Sequence, residues 1–329
     1  MSSESYRYRI YGLNISSSRK IDLLEEHFGD GALDLCVEWH ASSETTPDQS
    51  SDWHQVHSEI LKLYTIVTLW KSERGDITKV CFEFEDQDPI SFIFNLGDQL
   101  LSVYHSNSTS WSDLQSYLVG PAMGIVMRLQ GIQCLHSSAV EVDGKAIALV
   151  GYSTSGKSTL ATGLSKKGAK VIADDIAVLS SRDGRFVVPA GYTKVRLRPE
   201  AADFLTDDPD SLPIVYSHRD SRYVSLNEDT SYRGDALPLS AIYILGEHSD
   251  DFKEPCIEDV SAKDKLVRLL QNTYGSYVVM DELRAKEFKA LSRVAQQIPI
   301  RKLRYAHDIK TLPKQCEIIL EDFQKIISQ

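Results

Sequence analysis

The 329-residue sequence predicts a mixed α/β protein, with a β-rich N-terminal domain over residues 1–109 and an α/β domain over residues 110–329. Three observations predict it. Short runs of β-branched and aromatic residues fill the first hundred positions, the apolar spacing changes to a helical rhythm at Ser110, and the glycine-rich stretch "GYSTSGKST" lies between a strand-like and a helix-like run. The length also exceeds what one compact core usually serves, which favours two domains.

From Tyr6 to about Tyr104, "YRYRIYGLNI", "YTIVTLW", "KVCFEFE" and "SFIFNLG" read as strands separated by polar turns. The polar run "ASSETTPDQSSDW", residues 41–53, reads as an exposed loop. "SWSDLQSYLVGPAMGIVMRLQG" has a Ser or Asp start, helical apolar spacing and a stop at Gly131, with Pro121 marking a kink or break, so a helix pair joining the domains is expected. The segment from Ile132 to Ser180 scans as strand, turn at Asp143-Gly144, strand, glycine loop, helix, stop at Gly168, strand. Beyond it, "RFVVPAGYTKVRLRP", "RYVSLNED" and "LSAIYILG" are strand-like, residues 262–272 and 282–297 helical, "IPIRKLRY" a strand, and Thr311 to Ile327 a final amphipathic helix.

Hydrophobic residues make up 42% and charged residues 25% of the chain, as in soluble globular proteins and unlike disordered or membrane chains. A formal net charge of -11 argues against non-specific nucleic-acid binding, which draws its affinity from Lys and Arg on phosphates. The five cysteines, Cys36, Cys81, Cys134, Cys256 and Cys316, are odd in number and contain no C-x-x-C pair. Neither a disulfide framework nor a zinc site is expected, and the expected compartment is reducing cytosol. "MSSESYRYRIYGLNISSS" lacks a signal-type apolar run, and "YLVGPAMGIVMRLQG" is too short and carries Arg128, so neither export nor a membrane span is expected. A homo-oligomer is left open by the sequence.

The stretch Gly151–Thr159 matches G-x-x-x-x-G-K-[ST] at Gly151, Gly156, Lys157 and Ser158, in the strand–loop–helix setting a phosphate loop requires. Such a turn aims consecutive backbone N–H groups and the positive end of a helix at phosphate oxygens. Lys157 would neutralise phosphate charge and the Ser158 hydroxyl suits Mg²⁺, while Ser153, Thr154 and Ser155 read as structural hydroxyls of the turn. Nucleotide binding is the expectation.

Asp174 and Asp175 end the apolar strand "KVIADD", the end at which α/β proteins place ligands. One carboxylate could hold Mg²⁺ while the other takes a proton from an attacking hydroxyl, and two like charges side by side raise one pKa, as a base needs. A solvated turn pair is the plainer alternative. His136, one strand before the glycine loop, would lie near these carboxylates if the two strands pair, where it could orient or tune the base. Arg196 and Arg198 alternate along "KVRLRP" and Arg222 stands in "SRYVSL"; each could hold an anionic substrate or equally face solvent.

With His136, the loop at 151–158 and the Asp174-Asp175 pair in that order, the chain resembles the C-terminal P-loop domain of the HPr kinase family. Its layout looks like the stand-alone HPr-kinase-like enzymes of biosynthetic clusters, including those that phosphorylate lasso-peptide precursors. The resemblance covers about residues 112–315. It implies a fold akin to phosphoenolpyruvate carboxykinase and a Mg-ATP-dependent serine kinase, whose acceptor is a serine of a peptide or small protein. Free serine, a sugar, or a non-catalytic nucleotide scaffold are the alternatives. Carried over, Lys157 and Ser158 would hold phosphate and metal, and His136 would assist the base, with Asp174 favoured as base and Asp175 as metal partner. The Glu-x-Arg-Gly stretch of the long bifunctional members is absent, and Thr154 stands where these families often have Gly.

Overall fold

Tyr11 and Gly12 take positive φ of 58° and 83° and fold strand β1 (Tyr6–Ile10) back on β2 (Leu13–Ser17). With β3 (Leu35–Ala41), β4 (Trp53–Ile60), β5 (Ile66–Ser72), β6 (Ile77–Glu83), β7 (Ile90–Asn95) and β8 (Leu100–His105), they form an eight-stranded sheet in the order β1-β2-β3-β8-β7-β6-β5-β4. The computed structural model describes residues 5–27, 29–41, 53–60, 65–75, 77–192, 194–216, 219–246, 254–276, 281–306 and 308–328. Of the loop expected over 41–53, only the flanking Ala41 and Trp53 fall within them. Val67 and Leu69, Val80 and Phe82, Phe92 and Phe94, and Leu101 and Val103 are buried to within 1% of full burial, each pair two residues apart and so on one face of its strand.

The helical run from Ser110 is α1 (Trp111–Tyr117), a π-helical turn Leu118–Ala122 containing Pro121, and α2 (Met123–Leu129). Proline supplies no N–H and crowds the preceding turn, so the helix widens there rather than breaking. Among the described residues the first compact unit runs to Val126 and the second begins at Met127. The domain boundary expected at 110 therefore moves into this run. The reason is packing: Tyr117 sets its ring against Phe82 and Phe84, with centroids 5.1 and 5.2 Å apart, and the Gln115 side chain accepts a hydrogen bond from the Leu23 N–H. Helix α1 thus belongs to the first sheet.

The second unit is built on strands β9 (Gln133–Leu135), β10 (Ser137–Val142), β11 (Lys145–Val150), β12 (Lys170–Ala173), β13 (Ala177–Arg182), β14 (Arg185–Val188), β15 (Lys194–Leu197), β16 (Ile214–Tyr216), β17 (Arg219–Ser225), β18 (Leu237–Leu245), β19 (Cys256–Asp259) and β20 (Ile300–Arg304). β12-β10-β11-β18-β14-β13-β9 run in that order, with β20 also paired to β18 and β19 paired to β20, while β15-β17-β16 form a separate small sheet. Helices α3 (Lys157–Ser165), α4 (Pro199–Leu205), α5 (Ala262–Gln271), α6 (Asp281–Gln297) and α7 (Leu312–Ile327) complete it. Along β11, Ile147 and Leu149 join a core with α3, α4 and α7. Ala146, Ala148 and Val150 join a second core with α5 and α6. Both faces of the sheet are covered, which is why its central strands read as continuous apolar runs.

Strand direction places the site. β11, β18 and β20 are parallel, and β10 is antiparallel to both β11 and β12, so β12 runs the same way as β11. The glycine loop after β11 and the Asp pair after β12 therefore emerge at one end of the sheet. β10 begins at that same end, carrying His136 with it.

Candidate active site

The loop closes on itself through particular residues. Gly156 caps α3 in the left-handed region, with φ 83°, and a Cβ on Gly151 would lie 2.5 Å from the Ser155 Oγ, so only glycine fits at that position while Ser155 keeps this rotamer. Tyr305 donates its hydroxyl to the Ser155 carbonyl at 2.5 Å. Thr154 has φ 77°, a left-handed conformation that a β-branched residue adopts only at a cost. The loop path itself calls for glycine there. Thr154→Gly is expected to raise stability by about 1 kcal/mol, the strain relieved less the entropy that glycine adds to the unfolded chain, measured by urea unfolding.

Lys157 is buried, 6% exposed, and its Nζ donates to the carbonyls of Gly151 (2.8 Å) and Tyr152 (3.0 Å). Burial lowers its pKa from 10.5 to about 8, with the Asp174 charge pulling the other way. The Ser158 hydroxyl donates to Asp174 Oδ1 at 2.8 Å, the Ser138 hydroxyl to the same oxygen at 2.6 Å, and the Arg196 N–H to Oδ2 at 2.9 Å. Asp174 is wholly buried. Ser138 went unread in the sequence; its signal is its place two residues after His136 on β10. Removing its hydroxyl in Ser138→Ala is expected to cost about 1–3 kcal/mol, since a buried carboxylate loses one of its donors, again read by urea unfolding.

Asp175 points elsewhere. The Ile176 N–H bonds back to the Asp174 carbonyl at 2.9 Å, closing a three-residue turn centred on Asp175, whose φ is 69°. A turn of this kind is strained, and strain of this kind gathers at functional sites. Asp175 Oδ2 pairs with Arg196 Nη2, and its Oδ1 lies 3.5 Å from His136 Nδ1. His136 is held by its N–H on the Asn272 carbonyl, 2.7 Å. Burial first, then the charges of Lys157 and Arg196, lower its pKa to about 3. The ring is therefore neutral at pH 7.

A cavity of about 430 Å³ is lined by the loop residues Ser153 to Thr159 and by His136, Asp175, Arg196 and Arg198. Its further wall includes Glu200, Ser221, Tyr305 and Asp308. Arg198 and Arg196, expected on one strand face, do share this cavity, Arg198 from just beyond the end of β15. Arg222 is not brought to it and donates to the Leu212 carbonyl instead, 3.3 Å. Tyr216, which accepts from Arg196 Nη1 at 3.1 Å, and Tyr305 are site residues that sequence reasoning missed, because their partners lie far away in the chain. A second cavity between β19 and α7 is lined by Asp259 and Asp322, both paired with Arg301, and by Glu258.

Fold and site together are those of a mixed α/β protein with a glycine-rich loop at the helix end of a central strand. Comparison with solved structures gives a similarity to the HPr(Ser) kinase/phosphatase from Coxiella burnetii, at 11% identity and a TM-score of 0.30, covering 60% of this chain and 93% of that one. No protein-family model and no curated protein matches the chain. Among the described residues no helix is long and apolar enough to cross a membrane.

Proposed function

We propose that the chain is a Mg-ATP-dependent phosphotransferase whose acceptor is a serine hydroxyl of a peptide or small protein, with a lasso-peptide precursor as the particular substrate. One observation carries this reading: Asp174 is bound to Ser158 under the loop, while its neighbour Asp175 faces the cavity beside His136. The pair divides into a carboxylate on the metal side and a carboxylate on the acceptor side. Burial of Asp174 supports the reverse of the sequence assignment, so Asp175 is the base and Asp174 the metal partner.

The donor set fits the ligands. Ser158 and Asp174 offer a hydroxyl and a carboxylate at the helix start. That suits Mg²⁺, which is commonly held by one or two carboxylates plus substrate phosphates. When bound, the ion neutralises charge on the phosphate oxygens. Lys157 exchanges its carbonyl partners for phosphate oxygens, and the loop N–H groups hold the remaining charge. Asp175 takes the acceptor proton as the serine oxygen bonds to the γ-phosphorus and the bond to the β–γ bridging oxygen breaks, its electron pair leaving with ADP. Neutral His136 orients the Asp175 carboxylate.

The test is incubation with Mg-ATP and the serine-bearing precursor peptide. One added phosphate on serine, found by mass spectrometry, supports the reading. Transfer to free serine or a sugar instead would replace the peptide acceptor, and bound ATP with no transfer to any acceptor would leave only a nucleotide scaffold.

A further inference from the structure

Three side chains directed at phosphate in this site already have internal partners. Lys157 holds the carbonyls of Gly151 and Tyr152, Ser158 holds Asp174, and Arg196 holds Asp175. The third pairing has a consequence for chemistry. A carboxylate oxygen already engaged by a guanidinium is occupied, and an acceptor hydroxyl must compete with that contact for it. Asp175 in this arrangement lines the cavity with one oxygen already engaged by Arg196.

Arg196 is built to let go without disturbing the rest. Its backbone is fixed, with its N–H on Asp174 Oδ2 and its strand position opposite Tyr223 in the small sheet. Only the guanidinium reaches Asp175, and it keeps 17% of its surface, opening into the same cavity as the glycine loop. Tyr216 meets the other arm, its hydroxyl 3.1 Å from Nη1, with the arginine Cζ 5.8 Å from the ring centroid. A planar fork on a long stem can turn from one anion to another, and a phosphoryl group offers it two oxygens and more charge than a carboxylate.

We propose that Arg196 is a partner-exchanging catalytic arginine: without a donor it holds Asp175, and when a γ-phosphoryl group enters the cavity it turns to that group and frees Asp175 to take the acceptor proton. The base becomes competent only when the donor is in place, and the nucleotide binds before the acceptor. This rests on the phosphotransferase reading above.

The exchange is testable without an acceptor, by measuring the affinities of Mg-AMP-PNP and Mg-ADP for the full chain by calorimetry, in a double-mutant cycle of Asp175→Asn and Arg196→Gln. If Arg196 must leave Asp175 to meet the γ-phosphate, Asp175→Asn tightens Mg-AMP-PNP about tenfold, the worth of one charge-assisted contact. Mg-ADP, which has no γ-phosphate, changes little. In the Arg196→Gln background the tightening disappears. Persistence of the tightening in that background would mean simple repulsion between Asp175 and the triphosphate, and would overturn the exchange, as would no tightening in Asp175→Asn alone. If the unaltered protein binds neither nucleotide, the phosphotransferase reading fails and the exchange fails with it. Thermal unfolding checks that each variant folds; should Arg196→Gln not fold, Arg196→Lys keeps the charge without the fork and is expected to retain only part of the coupling.

Discussion

Asp175→Asn is expected to lower kcat for phosphoryl transfer by about 10²–10⁴-fold, the usual worth of a positioned general base, while the protein stays folded and still binds nucleotide. Asparagine keeps the size and polarity of the side chain but cannot accept the serine proton. The turn at Asp175, with φ 69°, is tolerated by asparagine nearly as well as by aspartate, so the backbone should hold. Asp174→Asn makes the contrast: this group sits with Ser158 and Ser138, so its loss should appear first as a higher Mg²⁺ requirement. Steady-state rates at graded Mg²⁺ separate the two. If Asp174→Asn abolished transfer at every Mg²⁺ concentration while Asp175→Asn kept it, the division of roles would be the opposite one.

Lys157→Met is expected to weaken Mg-AMP-PNP binding by about tenfold to a hundredfold, from the loss of charge-assisted contacts to phosphate. The lysine also gives binding a pH signature. Its pKa in the free protein is lowered to about 8 by burial, and an adjacent phosphate raises it again. Below pH 8 the amine is charged with or without nucleotide, so affinity there is flat with respect to this group. Above pH 8 the free form loses its proton and the bound form keeps it, so binding takes up a proton and affinity falls as pH rises. Calorimetry at pH 9 in buffers of different ionisation enthalpy measures the uptake. The signal should be absent in Lys157→Met, and a wild-type affinity independent of pH between 7 and 10 would contradict the assignment.

The local part of this site is readable in the sequence. Gly151, Gly156 and Lys157 mark the loop because only a glycine-rich turn between a strand and a helix presents its amides in that way, and "KVIADD" shows a strand ending in carboxylates. Which aspartate faces the cavity is not readable. It is decided by the Ser138 hydroxyl, 36 residues before Asp174, and by the Arg196 N–H, 22 residues after it, and chain periodicity carries no information about such partners. The first sheet has the same limit. Its hairpins β5-β6 and β6-β7 follow from alternation and short turns, but β3 pairs in parallel with β8 across the intervening strands, and no local pattern announces that register. The helical run does join the two units, with the boundary inside α2, but that α1 packs with the first sheet is not readable, because the aromatic partners that Tyr117 meets, Phe82 and Phe84, are distant in sequence.

Strand β10 has a consequence for how the protein could change. His136, in the bend just before β10, and Ser138, on β10, address Asp175 and Asp174, so one short stretch at the start of a strand buried between two others serves both carboxylates. The surfaces that would select an acceptor come from other segments, the start of α4, Ser221 and the chain after Tyr305. On the proposed reading, reaction and recognition are written on separate parts of the chain. Exchanging those outer segments should redirect the protein to a new hydroxyl while the chemistry stays where it is.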